Sequence, residues 1–173
     1  MIINPKRKRC FCTTLRSMEK HNISIRTKLL IFRSNVKSVL LYGSETWKVA
    51  KTTTSKLLVF VNRCLRRILN IQWPEVISNE ELWRRAEETE TSIQIKRRKW
   101  NWIGHTLRKG HDTIEREILD WNPQGQWKRG RPKQTWRRLV HNEALEEGKR
   151  WGEVKQLARN RIRWRHFVDA LHP

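Results

Sequence analysis

Ile25, Leu29, Phe32, Val36, Val39 and Leu40 recur at helical spacing with Arg26, Lys28, Arg33 and Lys37 between them, the pattern of a helix apolar on one face and basic on the other. A helix is predicted over about residues 23–42, and Tyr42-Gly43-Ser44 breaks it. Thr52, Thr53, Thr54 and Ser55 are candidate N-caps for a second helix whose stripe is Leu57, Leu58, Val61, Cys64, Leu65, Ile68 and Leu69, and Pro74 stops it. Ser78 and Glu81 have the spacing of a capping box ahead of Leu82, Trp83 and Ala86, which predicts a short acidic helix. Thr91 or Ser92 caps the next one, which carries Ile95, Trp102, Ile103 and Leu107 and ends at Gly110.

Ile114, Ile118 and Leu119 suggest a short helix before Trp121. From Asn122 to Arg131 apolar residues all but vanish, and the Pro, Gly, Gln, Lys and Arg there read as an exposed linker. Pro132 suits the first position of a further helix with Trp136, Leu139 and Val140 on one side, terminated by Gly148. Trp151, Val154, Leu157, Ala158, Ile162, Phe167, Val168 and Leu171 then trace one more apolar face. No sustained alternating run bounded by turns occurs. The expected fold is all-α, an irregular assembly of about six or seven helices with a C-terminal helical hairpin and little or no sheet. Its expected divisions are a basic tail or connector over 1–22, a helical domain over 23–121, a basic linker over 122–131 and the hairpin over 132–173.

Charge changes the picture more than composition does. The chain has 38 Lys and Arg against 17 Asp and Glu, a formal +21, which points to a polyanionic partner: RNA, DNA or an RNA–DNA hybrid. The cations are concentrated. Residues 91–110 contain Lys96, Arg97, Arg98, Lys99, Arg108 and Lys109 and no acid; residues 121–140 contain Lys128, Arg129, Arg131, Lys133, Arg137 and Arg138 and no acid. These twelve are the candidate phosphate contacts, since counterion release rewards local positive density. The ten Trp are expected mainly as core anchors for a polar chain, with Trp127 the candidate for stacking on an unpaired base. Lys128-Arg129-Gly130-Arg131-Pro132-Lys133 resembles an AT-hook, whose extended Arg-Gly-Arg core lies in a narrow minor groove; a flexible basic linker is the alternative reading.

No catalytic, metal or cofactor constellation is legible. Gly-x-x-x-x-Gly-Lys, His-Glu-x-x-His and Gly-x-Ser-x-Gly are all missing from the sequence. His105 has no partner acid at readable spacing, and His111-Asp112 beside Gly110 suits a turn cap. Cys10, Cys12 and Cys64 form neither a zinc motif nor a disulfide set, which favours an intracellular setting. No apolar stretch is long enough for a bilayer, and Lys6-Arg7-Lys8-Arg9 is a candidate nuclear-localisation patch.

Four strings in order carry a family resemblance: Asn35-Val36-Lys37-Ser38-Val39-Leu40-Leu41-Tyr42-Gly43-Ser44-Glu45-Thr46-Trp47, Cys64-Leu65-Arg66-Arg67-Ile68-Leu69-Asn70-Ile71, Trp102-Ile103-Gly104-His105-Thr106-Leu107-Arg108-Lys109, and Trp121-Asn122-Pro123-Gln124-Gly125 leading into Arg129-Gly130-Arg131-Pro132-Lys133 and Trp136-Arg137-Arg138. Together they resemble the C-terminal part of the endonuclease-reverse transcriptases of non-LTR (LINE-type, RTE-like) retrotransposons, from about Ile23 onward. The resemblance implies a thumb-like helical part and a basic extension that follow the polymerase palm. The family's aromatic-Ala-Asp-Asp metal motif and acidic endonuclease domain do not occur in these residues, so no catalytic residue is carried over and no enzyme activity is expected of this chain alone. The expected role is nucleic-acid binding through phosphates. The alternatives are an AT-hook-like DNA-binding protein and a non-functional retroelement remnant.

Overall fold

The first helix starts where a side chain replaces a missing backbone partner: Ser24 Oγ accepts the Thr27 N–H at 3.2 Å, and α1 runs Ile25–Ile31. In the computed structural model, residues 23–48, 51–110, 112–121, 130 and 135–170 are described. A π-helical stretch, Phe32–Lys37, follows α1 and leads into α2, Ser38–Leu40. The remaining helices are α3 (Lys51–Ile68), α4 (Asn79–Ala86), α5 (Thr91–Leu107), α6 (Ile114–Asp120), α7 (Trp136–Glu146), α8 (Trp151–Ala158) and α9 (Arg161–Ala170). A 3-10 turn, Ser44–Thr46, follows Gly43, whose φ of 68° is the left-handed region that glycine enters without strain. The described residues contain no strand, and the fold is all-α.

The chain forms two compact units, residues 1–42 with 51–92, and residues 43–50 with 93–173. The expected division set a boundary in the linker over 122–131, of which the described residues include Gly130 alone. Trp100, Ile103 and Leu107 of α5 share one core with Val140 of α7, Val154 of α8 and Trp164 of α9. Residues 122–129 and 131–134 lie outside the described residues. Pro132 is therefore not placed; α7 begins at Trp136, capped by Thr135 Oγ1 on the Arg138 N–H at 3.3 Å.

In the first unit, Leu29, Phe32 and Val36 pack with Val61, Cys64, Leu65 and Ile68 of α3 and with Leu82 and Ala86 of α4. The π stretch shifts the helix face, because each π turn takes up more residues than an α turn. Past it, Leu41 is buried while Val39 is exposed, and Lys37 lies inside at 6% exposure. Lys37 was expected on the basic face. Its ammonium instead pairs with Glu88, which also takes Arg33 Nε at 2.7 Å. Arg33 Nη2 donates to the carbonyls of Ala86 and Glu87 at 2.8 and 2.9 Å, closing the C-terminus of α4. Ser78 caps α4 through the Glu81 N–H, as its spacing predicts. The Glu81 carboxylate, however, turns to Arg84 and Arg85 rather than back to the cap. The residues Thr52 to Ser55, read as caps, lie within α3.

In the second unit the core is built from indoles. Trp100 meets Phe167 edge-on with centroids 5.3 Å apart, and Trp164 lies 6.0 Å from Trp100. Gly104 of α5 admits Trp164 to the helix backbone, since a Cβ there would come within 2.1 Å of the indole Nε1. The predicted last helix is two. Asn160 Oδ1 accepts the N–H groups of Ile162 and Arg163 at 2.9 and 3.1 Å, starting α9 anew after α8. The hairpin expectation becomes a three-helix succession, with α8 packed against both α7 and α9.

Candidate nucleic-acid interface

The cations of residues 91–110 are acid-free in sequence but not in space. Arg97 Nη2 meets Asp169 at 2.9 Å, Lys109 Nζ meets Glu115 at 2.8 Å, and Lys99 Nζ meets Glu143. Lys99 is 3% exposed, which removes it from the candidate phosphate contacts. Its neighbour Trp100 donates to the other oxygen of Glu143 at 2.9 Å, so one carboxylate holds two consecutive residues of α5. Lys96 and Arg98 are half-buried and Arg138 is exposed. Arg137 is turned to backbone, donating from Nη1 to the Asp120 carbonyl at 3.1 Å and the Trp121 carbonyl at 3.4 Å. Lys128, Arg129, Arg131, Lys133 and the stacking candidate Trp127 lie outside the described residues.

Arg108 is the member of the candidate set with a different setting. It borders a cleft of about 660 Å³ in the second unit, where Arg159 and Arg161 join it from the α8–α9 junction. Its Nη1 donates to the Ala158 carbonyl at 3.2 Å. Burial, and then the neighbouring Arg161 charge, lower the Arg108 pKa from its ordinary value. Arg159 and Arg161 are exposed and make no ion pair among the described residues. Arg116, on the same cleft, is spent on the Leu107 and Lys109 carbonyls at 2.9 and 2.6 Å, which closes the C-terminus of α5. Of the two acids lining the cleft, Asp120 is held by Lys155 at 2.6 Å and Glu117 is exposed. Burial raises the Asp120 pKa, but the hydrogen bonds of Lys155 and Trp151 outweigh this and hold it below the usual value.

The α8–α9 arginines were not among the candidates, because they alternate with the apolar positions of a predicted helix and their run contains no motif. The signal was the absence of acid: between Glu153 and Asp169 the sequence has Lys155, Arg159, Arg161, Arg163 and Arg165 and no carboxylate. A second cleft, about 470 Å³ in the first unit, combines apolar Leu58, Val59 and Ile71 with Arg63, Arg66 and Arg67. Beside it in sequence, Trp73 is 87% exposed, the barest Trp among the described residues, and Trp121 is exposed as well. Trp100 and Trp164 are core, as expected of most indoles.

Burial pushes the Cys64 thiol up to about 11, with Arg67 and Arg63 opposing only in part. Among the described residues no group of three or more His, Cys, Asp or Glu is placed to hold a metal ion, and no helix is long and apolar enough to cross a membrane. A family model described as a domain of unknown function (DUF6451) matches residues 19–42, a segment that includes α1, the π stretch and α2. No curated protein and no solved structure matches the chain.

Proposed function

We propose that the chain is a nucleic-acid-binding helical module that holds RNA or an RNA–DNA duplex through its backbone phosphates, and that it is the thumb and C-terminal part of a non-LTR retrotransposon reverse transcriptase. The observation that carries the binding reading is where the acids go. Glu88, Glu143, Asp120, Glu115 and Asp169 are each engaged by a cation of the same unit, while Arg159, Arg161, Arg163 and Arg165 remain exposed without an ion pair among the described residues. The formal +21 is thus not cancelled locally at the α8–α9 end. Such a surface recognises phosphate spacing and helix shape more than base sequence.

The retrotransposon assignment rests on the four ordered strings. It assigns nucleotidyl transfer to a palm, since two-metal chemistry needs paired carboxylates. Fluorescence anisotropy with labelled RNA, RNA–DNA hybrid and duplex DNA, each in two unrelated sequences at low salt, tests the binding. Binding that differs little between the two sequences is expected, and no binding to any of them overturns the proposal. In a primer-extension assay with Mg²⁺ or Mn²⁺ the chain alone is expected to give no product; extension would overturn the division of labour.

A further inference from the structure

Three arginines from two separate stretches of chain meet at the cleft of the second unit. Arg108 comes from the end of α5; Arg159 and Arg161 flank Asn160 at the α8–α9 junction. Arg108 is oriented by its bond to the Ala158 carbonyl, at the last residue of α8. Gathering like charges around a concave surface is unfavourable by itself, since each raises the potential the others feel. The lining holds more cations than acids: Asp120 is held by Lys155 and Trp151, and Glu117 is the other acid beside Arg108, Arg116, Arg159 and Arg161. An arrangement of this kind is relieved by an anion with several acceptor oxygens, and planar guanidinium groups match a phosphoryl group best. The volume, about 660 Å³, is in the range that encloses a nucleotide-sized ligand.

We propose that this cleft is a phosphoryl-binding site in which Arg108, Arg159 and Arg161 supply the donors, and that its occupant is a backbone phosphate of a nucleic-acid strand. The second clause rests on the nucleic-acid-binding reading above; the first stands without it, because a free phosphate ester offers the same oxygens. Arg159 and Arg161 are suited to testing it. Their side chains make no hydrogen bond or ion pair among the described residues, so Arg159→Gln with Arg161→Gln retains the fold, which circular dichroism and Tm verify. Arg163→Gln with Arg165→Gln removes the same charge from α9 outside the cleft.

Both double variants and the wild-type full chain are titrated with a labelled single-stranded RNA by anisotropy, and with pyrophosphate by calorimetry. The Arg159/Arg161 variant is expected to lose about tenfold or more in RNA affinity, and its log K against log salt slope to shrink by about 1.4, two phosphates' worth for a single strand. The Arg163/Arg165 variant, whose charges lie on the exposed surface outside the cleft, is expected to lose less RNA affinity than the cleft variant and to bind pyrophosphate as wild type does. Pyrophosphate is expected to bind wild type and to bind the cleft variant more weakly. Equal RNA losses in both variants overturn the cleft and leave nucleic-acid binding standing. Pyrophosphate binding that depends on Arg159 and Arg161, with no RNA binding, supports the phosphoryl site and overturns its nucleic-acid occupant. Binding of neither ligand overturns both.

Discussion

Gly104 shows how a single residue is decided by what faces it. In an isolated helix Gly104→Ala would be stabilising by about 1 kcal/mol. Here the added Cβ would come within 2.1 Å of Trp164 Nε1, and the indole, 3% exposed, has little room to retreat. Overpacking of this kind costs about 1–3 kcal/mol, so the variant is expected to melt lower than wild type; a higher Tm would contradict the packing. Glu88 is a second such residue. Burial would raise its pKa, but the hydrogen bonds from Lys37 and Arg33 outweigh this and hold it below the ordinary 4.5. A carboxyl depressed in the folded state contributes stability that is fully present above its unfolded pKa and lost as pH falls through the folded one. Glu88→Gln removes the carboxylate charge that faces the buried Lys37 ammonium, at a cost on the order of 3 kcal/mol near pH 7. Chemical denaturation of both proteins at pH 7 and pH 3 checks this, and the gap is expected to narrow in acid. A gap independent of pH would mean that shape rather than charge matters at this position.

Lys99 was legible in principle. Ile95, Lys99 and Ile103 are spaced by four and are all nearly fully buried, so the apolar stripe passes through the lysine. Its place in the run Lys96-Arg97-Arg98-Lys99 obscured that. Lys37 was not legible in the same way, because a π stretch leaves no clear mark in hydrophobic spacing and yet shifts the face that follows.

At the level of elements, periodicity found the helices and missed their joints. Trp151, Val154, Ala158, Phe167 and Val168 read as one apolar face because α8 and α9 both turn toward the same core. A single stripe and two short helices on one core look alike in sequence. Asn160 makes the break by capping α9 with its side chain. Asn160→Ala is expected to cost about 1 kcal/mol, read as a lower urea midpoint with unchanged slope. No change in midpoint would imply that packing alone holds the junction. The same junction sets Arg159 and Arg161 on the cleft, so the cap also bears on the candidate interface. Of that interface the sequence disclosed Arg108 but not its partners, which lie some fifty residues further on and meet it only through the packing of α5 with the C-terminal helices.

For the whole molecule the governing quantity is the surplus of positive charge and where it is left unneutralised. Linear density placed the interface in residues 91–110 and 121–140, but folding brings Asp169, Glu143 and Glu115 to three cations of the first stretch. A window along the chain cannot register acids that arrive from elsewhere. Among the described residues the α8–α9 arginines and the Arg108 cleft hold positive charge that no acid neutralises, and phosphate neutralisation is the account they support. Its most direct test is the salt dependence of wild-type binding to RNA and to an RNA–DNA hybrid, measured by anisotropy across a series of monovalent salt concentrations. The account predicts log K falling linearly with log salt at a slope of about −3 or steeper, as four or more phosphates require. A slope near zero, or no binding at the lowest salt, would contradict it.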